Sequence, residues 1–385
     1  MNTRFHVYKF RNGGILMKTL ALHRFDGVCK NGWFIGNPDS INDESTRDVL
    51  DRIGTMGNGE VRTAISMSVS YNNFPIEAVC ESIRRICQQS EKHRVPVYFH
   101  LDGINWWGAH PELWNFFDPN LPGYNPDNRK NVERYDWDES CAVKLGWRNW
   151  GSQIRVKPAP NLASPAFLAL QKEKHDCILP IIREWRDSLE DKSLFGGIVF
   201  GWELSPYVQA YFYENGNDCL DRPTSEDPQG GVEKSIALGY AAAAELGLQP
   251  EGGVITEETV EKVCTFTHDF LIGIALEHGI ERSELITHTF VGGKTQRGGG
   301  HSGIASVREG VLPGWSFYGG EVSELDPQIA FTDGRWALIE CRPWDLDEKL
   351  FRDAYRKGAE IVNIYNWESI REDEKSLDVI RKILG

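Results

Sequence analysis

Short apolar runs recur along the chain, and each of them ends in polar or aromatic residues. Their cores are rich in Val, Ile, Phe and Tyr, and in several of them apolar residues occupy consecutive positions. Consecutive apolar positions are typical of strands that are buried on both faces. The predicted strands lie within eight runs: 19–27, 61–73, 95–103, 195–205, 285–293, 314–320, 335–344 and 359–369.

Helical patterns lie between these runs. In the segment 75–94, apolar residues at 76, 79, 83 and 86 form one stripe along a predicted helix. The segment 256–279 opens at Thr256 with acidic residues in its first turn and closes at Gly279, as helix-capping preferences favour. The other predicted helices span 165–191, 232–247, 345–358 and 372–384.

Strands that alternate with helices predict an α/β fold with parallel pairing through right-handed crossovers. Eight such units predict a closed (β/α)8 TIM barrel, and a bare barrel needs about 250 residues. The surplus is expected in long βα loops of a single domain spanning 1–385. The longest is an aromatic-rich insertion at about 104–164, and shorter loops follow at 205–231 and 292–303. A doubly wound open sheet is the alternative, but the chain shows no glycine fingerprint for phosphate binding.

Composition narrows the possible partners. Lys and Arg number 42 and Asp and Glu 56, so the formal net charge is 42 − 56 = −14. So acidic a chain is predicted to bind neither nucleic acid nor an anionic membrane surface, because both would repel it. No run of 18 apolar residues occurs, so no membrane span is expected. The 13 Trp residues suit a protein that stacks on flat ligand faces.

The eight cysteines predict the compartment. None of them forms a CxxC pair, so zinc-ribbon and thioredoxin-like sites are not expected. We interpret them as reduced thiols in a cytoplasmic protein. The first 23 residues lack the apolar core of a signal peptide, and no motif calls for a cofactor, so none is expected.

Two glutamates end apolar strands, where a barrel places its chemistry. Glu203 follows Ile-Val-Phe-Gly-Trp, and Glu340 follows Trp-Ala-Leu-Ile. Cleavage of a glycosidic bond needs a proton donor and an anion, which two carboxyl groups can supply. The apolar surroundings of Glu203 favour its protonated form, and Arg342 is placed to keep Glu340 ionised. The alternatives are a structural Glu340–Arg342 ion pair, or Glu321 as the second carboxylate.

This arrangement resembles clan A glycoside hydrolases, the barrel clan that includes family 5 cellulases, mannanases and β-galactosidases. The resemblance implies a retaining glycoside hydrolase with Glu203 as acid/base on strand four and Glu340 as nucleophile on strand seven. It also implies sugar contacts from His100 on strand three, Tyr318 on strand six and Trp367 on strand eight.

One departure from the clan pattern concerns the residue before the acid/base. The clan usually has Asn there, whereas this chain has Trp202. A catalytically silent carbohydrate-binding barrel therefore remains an alternative to the hydrolase. We expect a carbohydrate ligand in both cases, with the following substrate-binding residues: His100, Asp102, Trp106, Trp107, Trp202, His288, Tyr318, Arg342 and Trp367.

A second alternative is a metal-dependent sugar isomerase or lyase on the same barrel. Its ligands would come from the ends of several strands. The candidates are His100, Asp102, Glu203, His288 and Glu340. For the hydrolase we expect no metal ligand among the site residues.

Overall fold

A computed structural model describes most of the chain. The described residues are 17–24, 32–104, 107–149, 153–206, 210–230, 234–251, 253–291, 303–318, 320–341 and 346–385. Eight parallel strands close into a barrel with helices between them, which confirms the (β/α)8 prediction. In chain order they are β1 (Lys18–Arg24), β2 (Val61–Val69), β3 (Val97–Leu101), β6 (Phe195–Phe200), β9 (Leu285–Phe290), β10 (Leu312–Phe317), β11 (Trp336–Cys341) and β12 (Ala359–Ile364).

Helices and four short strands complete the described elements. The short strands form two hairpin-like pairs outside the barrel: β4 (Gly146–Asn149) with β5 (Gln153–Val156), and β7 (Phe212–Tyr213) with β8 (Ser235–Ile236). The α-helices are α1 (Asp43–Ile53), α2 (Ile76–His93), α3 (Pro111–Trp114), α4 (Pro165–Ser188), α5 (Tyr240–Glu245), α6 (Glu257–Glu277), α7 (Asp326–Ile329), α8 (Glu348–Arg356), α9 (Trp367–Ile370) and α10 (Glu374–Leu384).

Two helix predictions needed correction. The helix expected at 232–247 begins at Tyr240, because Gly239 has a φ of +117° and the preceding residues pair as β8. The helix α1 was not predicted, although Asn42 and Ser45 form a capping box at its start. Gly54, with a φ of +73°, ends α1 in the left-handed conformation that glycine adopts readily.

The helical layer is uneven around the barrel. After β9 the described residues contain a short 3-10 turn at Ile304–Ser306, and after β10 a 3-10 turn and the four-residue α7. Long helices pack over the opposite half, where α2, α4 and α6 bury apolar side chains against the strands. The eight-unit pattern therefore holds for the strands, while regular helices follow fewer of them.

The described residues of the insertion and of the loop after β6 fold together into what we call the cap, which comprises 107–149, 153–164, 210–230 and 234–246. Trp147 is fully buried in the cap and packs against Phe212 and Tyr213. The buried carboxylate of Glu133 accepts hydrogen bonds from backbone amides, including those of Gly239 and Ala241 at 2.9 and 3.1 Å. Side chains and backbone of two distant segments thus build one layer above the barrel.

Two further observations bear on the sequence expectations. No described helix is long and apolar enough to cross a membrane. The seven cysteines within the described residues are free thiols.

Candidate active site

The two predicted carboxylates lie at the same end of the barrel. Glu340 is in β11, whereas Glu203 follows β6 by three residues, and both side chains point into the protein. Glu203 has a φ of +46°, which is unusual for a residue with a side chain. Holding a backbone in this region costs roughly 1–3 kcal/mol, and such strain is concentrated at functional sites.

Two hydroxyl groups connect the carboxylates. Ser316 lies beside Glu340 in the β10–β11 pairing, and its hydroxyl donates to Glu340 Oε2 at 3.3 Å. The Tyr318 hydroxyl donates to the same oxygen. The same two hydroxyls and the Glu340 carboxyl lie near enough to Glu203 to lower its pKa, against the larger effect of burial.

Burial dominates the acidity of this pair. It raises the pKa of Glu203 to about 7, while the hydrogen bonds from Ser316, Tyr318 and Glu340 act in the opposite direction. Burial also raises the pKa of Glu340 well above its usual value, and the charge of Glu203 adds to this increase. Like charges this close resist joint ionisation, so the pair holds one proton near neutral pH.

Neutral histidines lie beneath the carboxylates. Burial lowers the pKa of His100 to about 4 and that of His288 well below its usual value. The backbone amide of Glu203 approaches His288 Nδ1 at 3.5 Å, and His288 Nε2 lies 2.6 Å from Ser316 Oγ. We therefore assign the His288 proton to Nε2, which donates to Ser316. The Ser316 hydroxyl is then free to donate its own proton to Glu340.

Trp202 lies across the barrel mouth. Its ring stacks on His100 at a centroid distance of 5.3 Å and meets His23 and Tyr365 edge-on at 5.8 and 6.1 Å. The side chain is buried, with 5% of the residue exposed. Trp202 thus bridges the ends of strands β1, β3 and β12, and narrows the space above the barrel axis.

A cavity of about 540 Å³ opens between the cap and the barrel, and we call it the cap cavity. Glu203 and Trp202 contribute to its wall from the barrel side. The opposite wall comes from the cap and combines apolar residues such as Leu121 and Leu145 with basic residues. Glu203 therefore faces a space of the size that small ligands occupy.

Some residues that the sequence predicts at the sugar site lie elsewhere in the structure. Trp367 is fully buried in the apolar layer outside the barrel, because Asn366, with a φ of +61°, turns the chain into α9. The prediction that Trp367 lines the sugar site is therefore wrong, and Tyr365 occupies the mouth instead. Glu321, the alternative nucleophile, is exposed and pairs with Lys349.

The aromatic residues of the insertion serve mainly in packing. Trp107 lines the cap cavity but is 3% exposed, donates to the Pro158 carbonyl at 2.9 Å and packs edge-on against Phe167. Trp107 is thus a wall of the cavity, not an open platform. Trp106 and Arg342 lie outside the described residues.

Asp102 is buried at the end of β3 and accepts a hydrogen bond from the Ile104 amide at 3.2 Å. Its charge also acts on Arg148 of the cap. Within the described ranges, no group of three or more His, Cys, Asp or Glu side chains could hold a metal ion. The metal-dependent alternative thus finds no ligand set there.

Sequence reasoning missed Ser316 and Arg148 as members of the site. Ser316 carried a usable signal, because it lies two residues before Tyr318 and so faces the same side of the strand. No sequence pattern predicts Arg148 at the site, because its position depends on how the cap folds.

Comparisons with known proteins find solved structures that are similar to this chain. The chain resembles the catalytic domain of β-amylase from Paenibacillus polymyxa, with 9% identity, a TM-score of 0.47, and coverage of 96% of this chain and 98% of that one. It also resembles β-glycosidase BGL167, with 12% identity, a TM-score of 0.43, and coverage of 96% and 95%. No protein-family model and no curated protein matches the chain. Likeness at these scores assigns neither a reaction nor a substrate.

Proposed function

We propose that the protein is a retaining glycoside hydrolase that acts on an oligosaccharide or glycoside. The observation that carries the proposal is the buried carboxyl pair at the barrel mouth, in which burial raises the pKa of both Glu203 and Glu340 and the charge of Glu203 acts on Glu340. Glycosidic cleavage requires one protonated and one ionised carboxyl group. A pair that holds a single proton near neutral pH meets this requirement.

The roles follow from position. Glu203 lines the cap cavity, where a leaving group can be accommodated, and its pKa of about 7 suits a general acid. Glu340 lies deeper, and the hydrogen bonds that it accepts from two hydroxyls oppose the increase in its pKa that burial and the charge of Glu203 cause. We therefore assign Glu203 as the acid/base and Glu340 as the nucleophile.

The reaction proceeds in two steps. Glu340 attacks the anomeric carbon while Glu203 gives its proton to the departing glycosidic oxygen, which leaves a glycosyl ester on Glu340. Glu203, now ionised, removes a proton from water, whose oxygen attacks the anomeric carbon and releases Glu340. The charge of Glu203 raises the pKa of Glu340, as expected for two carboxyl groups that lie close together. Such proximity favours retention, because inverting enzymes separate the two groups by about 6.5–9.5 Å to admit a water.

A catalytically silent carbohydrate-binding barrel is the second candidate. The observation that favours it is Trp202, which fills part of the mouth and replaces the Asn that clan A enzymes usually have. The two candidates predict the same ligand class but differ in turnover.

Single variants test the proposed roles on a panel of aryl glycosides. Glu340→Ala should abolish hydrolysis of every substrate, because no glycosyl ester can form. Glu203→Ala should keep the first step on substrates with good leaving groups, which need little protonation. Azide should accelerate the Glu203 variant with retained anomeric configuration, and should give the opposite anomer with Glu340→Ala.

The matched control is Glu321→Ala, which removes an exposed glutamate paired with Lys349 and should keep wild-type activity. Azide rescue of the Glu203 variant with inverted product would mean that the two roles are exchanged. If wild type binds sugars but hydrolyses no member of the panel, the silent-barrel candidate replaces the hydrolase.

A further inference from the structure

The cap cavity is basic, although the chain as a whole has a net charge of −14. Among the lining residues, four carry a cationic side chain and two carry a carboxyl group, of which one is Glu203. Since Glu203 has a pKa of about 7, its charge is reduced near neutral pH. The cationic residues are Lys144, Arg148, Arg155 and Lys157.

Two of these cations are balanced within the protein. Arg155 forms an ion pair with Asp227 at 2.6 Å. Arg148 is 8% exposed and lies in the field of Asp102. Their charges are therefore largely offset by carboxylates of the fold.

The two lysines differ from the arginines. Neither Lys144 nor Lys157 forms an ion pair with a carboxylate of the described residues. The Lys157 ammonium lies 4.7 Å above the Trp114 ring, a contact that positions the cation without neutralising it. Two positive charges on the cavity wall are thus left for a ligand.

The position of the cavity assigns these charges to one side of the scissile bond. Its lining includes Glu203 but not Glu340. In the proposed reaction Glu203 protonates the leaving oxygen, so the ligand portion next to Glu203 is the leaving group. The apolar wall residues, among them Leu121 and Ile154, suit the flat faces of a sugar ring.

We propose that the cap cavity binds an anionic leaving-group portion, a sugar unit that carries a carboxylate or a sulfate. The identification of this portion as the leaving group rests on the proposed function, whereas the binding of an anionic sugar does not require turnover. Lys144 and Lys157 recognise the oxyanion, and the apolar wall contacts the ring that carries it. A charged contact of this kind weakens with salt, because mobile ions screen partly exposed charges.

The test measures binding with Glu340→Gln, which cannot turn substrate over. The probes are neutral trisaccharides, each arrayed beside its C6-carboxylate and its 6-O-sulfate form. In 20 mM salt we expect an anionic form to bind about tenfold more tightly than its neutral counterpart. Raising the salt to 0.5 M should remove most of this difference and leave neutral binding unchanged. The form that binds more tightly identifies the oxyanion.

Charge-removing variants locate the site. Lys144→Gln combined with Lys157→Gln should reduce the anionic preference to below about threefold, whereas Lys172→Gln should leave it intact. Lys172 is an exposed lysine of α4 that pairs with Asp176 and Glu277, outside the cavity. Circular dichroism and melting curves of the variants check that the fold is unchanged.

The outcomes separate the two proposals. Equal binding of neutral and anionic forms, a preference that survives in the double variant, or binding of none of the probes would overturn the anionic site. Hydrolysis of neutral glycosides without an anionic preference removes this inference alone. An anionic preference in a protein without hydrolytic activity supports the site and removes the hydrolase proposal.

Discussion

Replacing Glu203 by Gln should stabilise the protein above neutral pH, although it should abolish acid catalysis. The pKa of Glu203 is about 7 in the folded protein, against 4.5 for an ordinary glutamate. Each tenfold change in an ionisation constant corresponds to about 1.4 kcal/mol. Ionising Glu203 therefore costs about 3 kcal/mol more in the folded protein than in the unfolded chain. Gln does not ionise and does not have this cost.

The sign of this effect depends on pH. A raised pKa means that the folded state binds the proton more tightly than the unfolded state. Below about pH 4.5 both states are protonated, so the free energies of unfolding of wild type and Glu203→Gln should be similar. The advantage of the variant should grow between pH 4.5 and 7 and remain near 3 kcal/mol above pH 7.

Urea denaturation followed by tryptophan fluorescence at pH 4, 6 and 8 measures this difference. Glu368→Gln is the matched control, since Glu368 pairs with Arg24 at 3.0 Å and both side chains are fully buried. Removing that carboxylate takes away the negative charge that balances the buried Arg24 and should cost about 3 kcal/mol or more. The reasoning fails if Glu203→Gln is no more stable than wild type at pH 8.

Two further variants examine the neighbours of the carboxyl pair. Tyr318→Phe removes a hydroxyl that donates to Glu340. A hydrogen bond to a charged group contributes about 1.5–3 kcal/mol, so its loss should lower kcat/KM about 10- to 150-fold. The acidic limb of the pH profile of kcat/KM should move to higher pH. Tyr98→Phe, which removes a buried hydroxyl near Thr19, should leave that limb in place. Trp202→Ala removes the ring that stacks on His100 and should lower the free energy of unfolding by about 3–5 kcal/mol in urea; a loss under 1 kcal/mol would mean that the indole is not packed.

The barrel was predictable because its signal is local. Consecutive apolar residues mark strands that are covered on both faces, and each of the eight predicted runs overlaps a barrel strand. Parallel strands place their carboxyl ends at one mouth, so the sequence alone predicts that Glu203, Tyr318 and Glu340 lie near one another. The two-residue period of a strand also predicts that Ser316, two residues before Tyr318, faces the same side.

The errors have a common physical origin. Trp367 lies three residues after the end of β12, and the left-handed conformation of Asn366 turns the Trp367 side chain into the apolar layer. The cap depends on contacts between segments about a hundred residues apart, such as that of Glu133 with Gly239. No local pattern predicts such pairings, so the basic wall of the cavity could not be anticipated either.

A raised pKa does not by itself indicate a catalytic group in this molecule. Burial raises the pKa of Glu133 to about 7 as well. The oxygens of Glu133, however, accept hydrogen bonds from backbone amides at the start of α5. These hydrogen bonds serve to stabilise the fold. Glu203 has hydroxyls and a second carboxyl group as partners, and it lines a cavity. These partners can exchange a proton with a ligand, whereas backbone amides cannot, and this difference favours the Glu203–Glu340 pair as the reactive site.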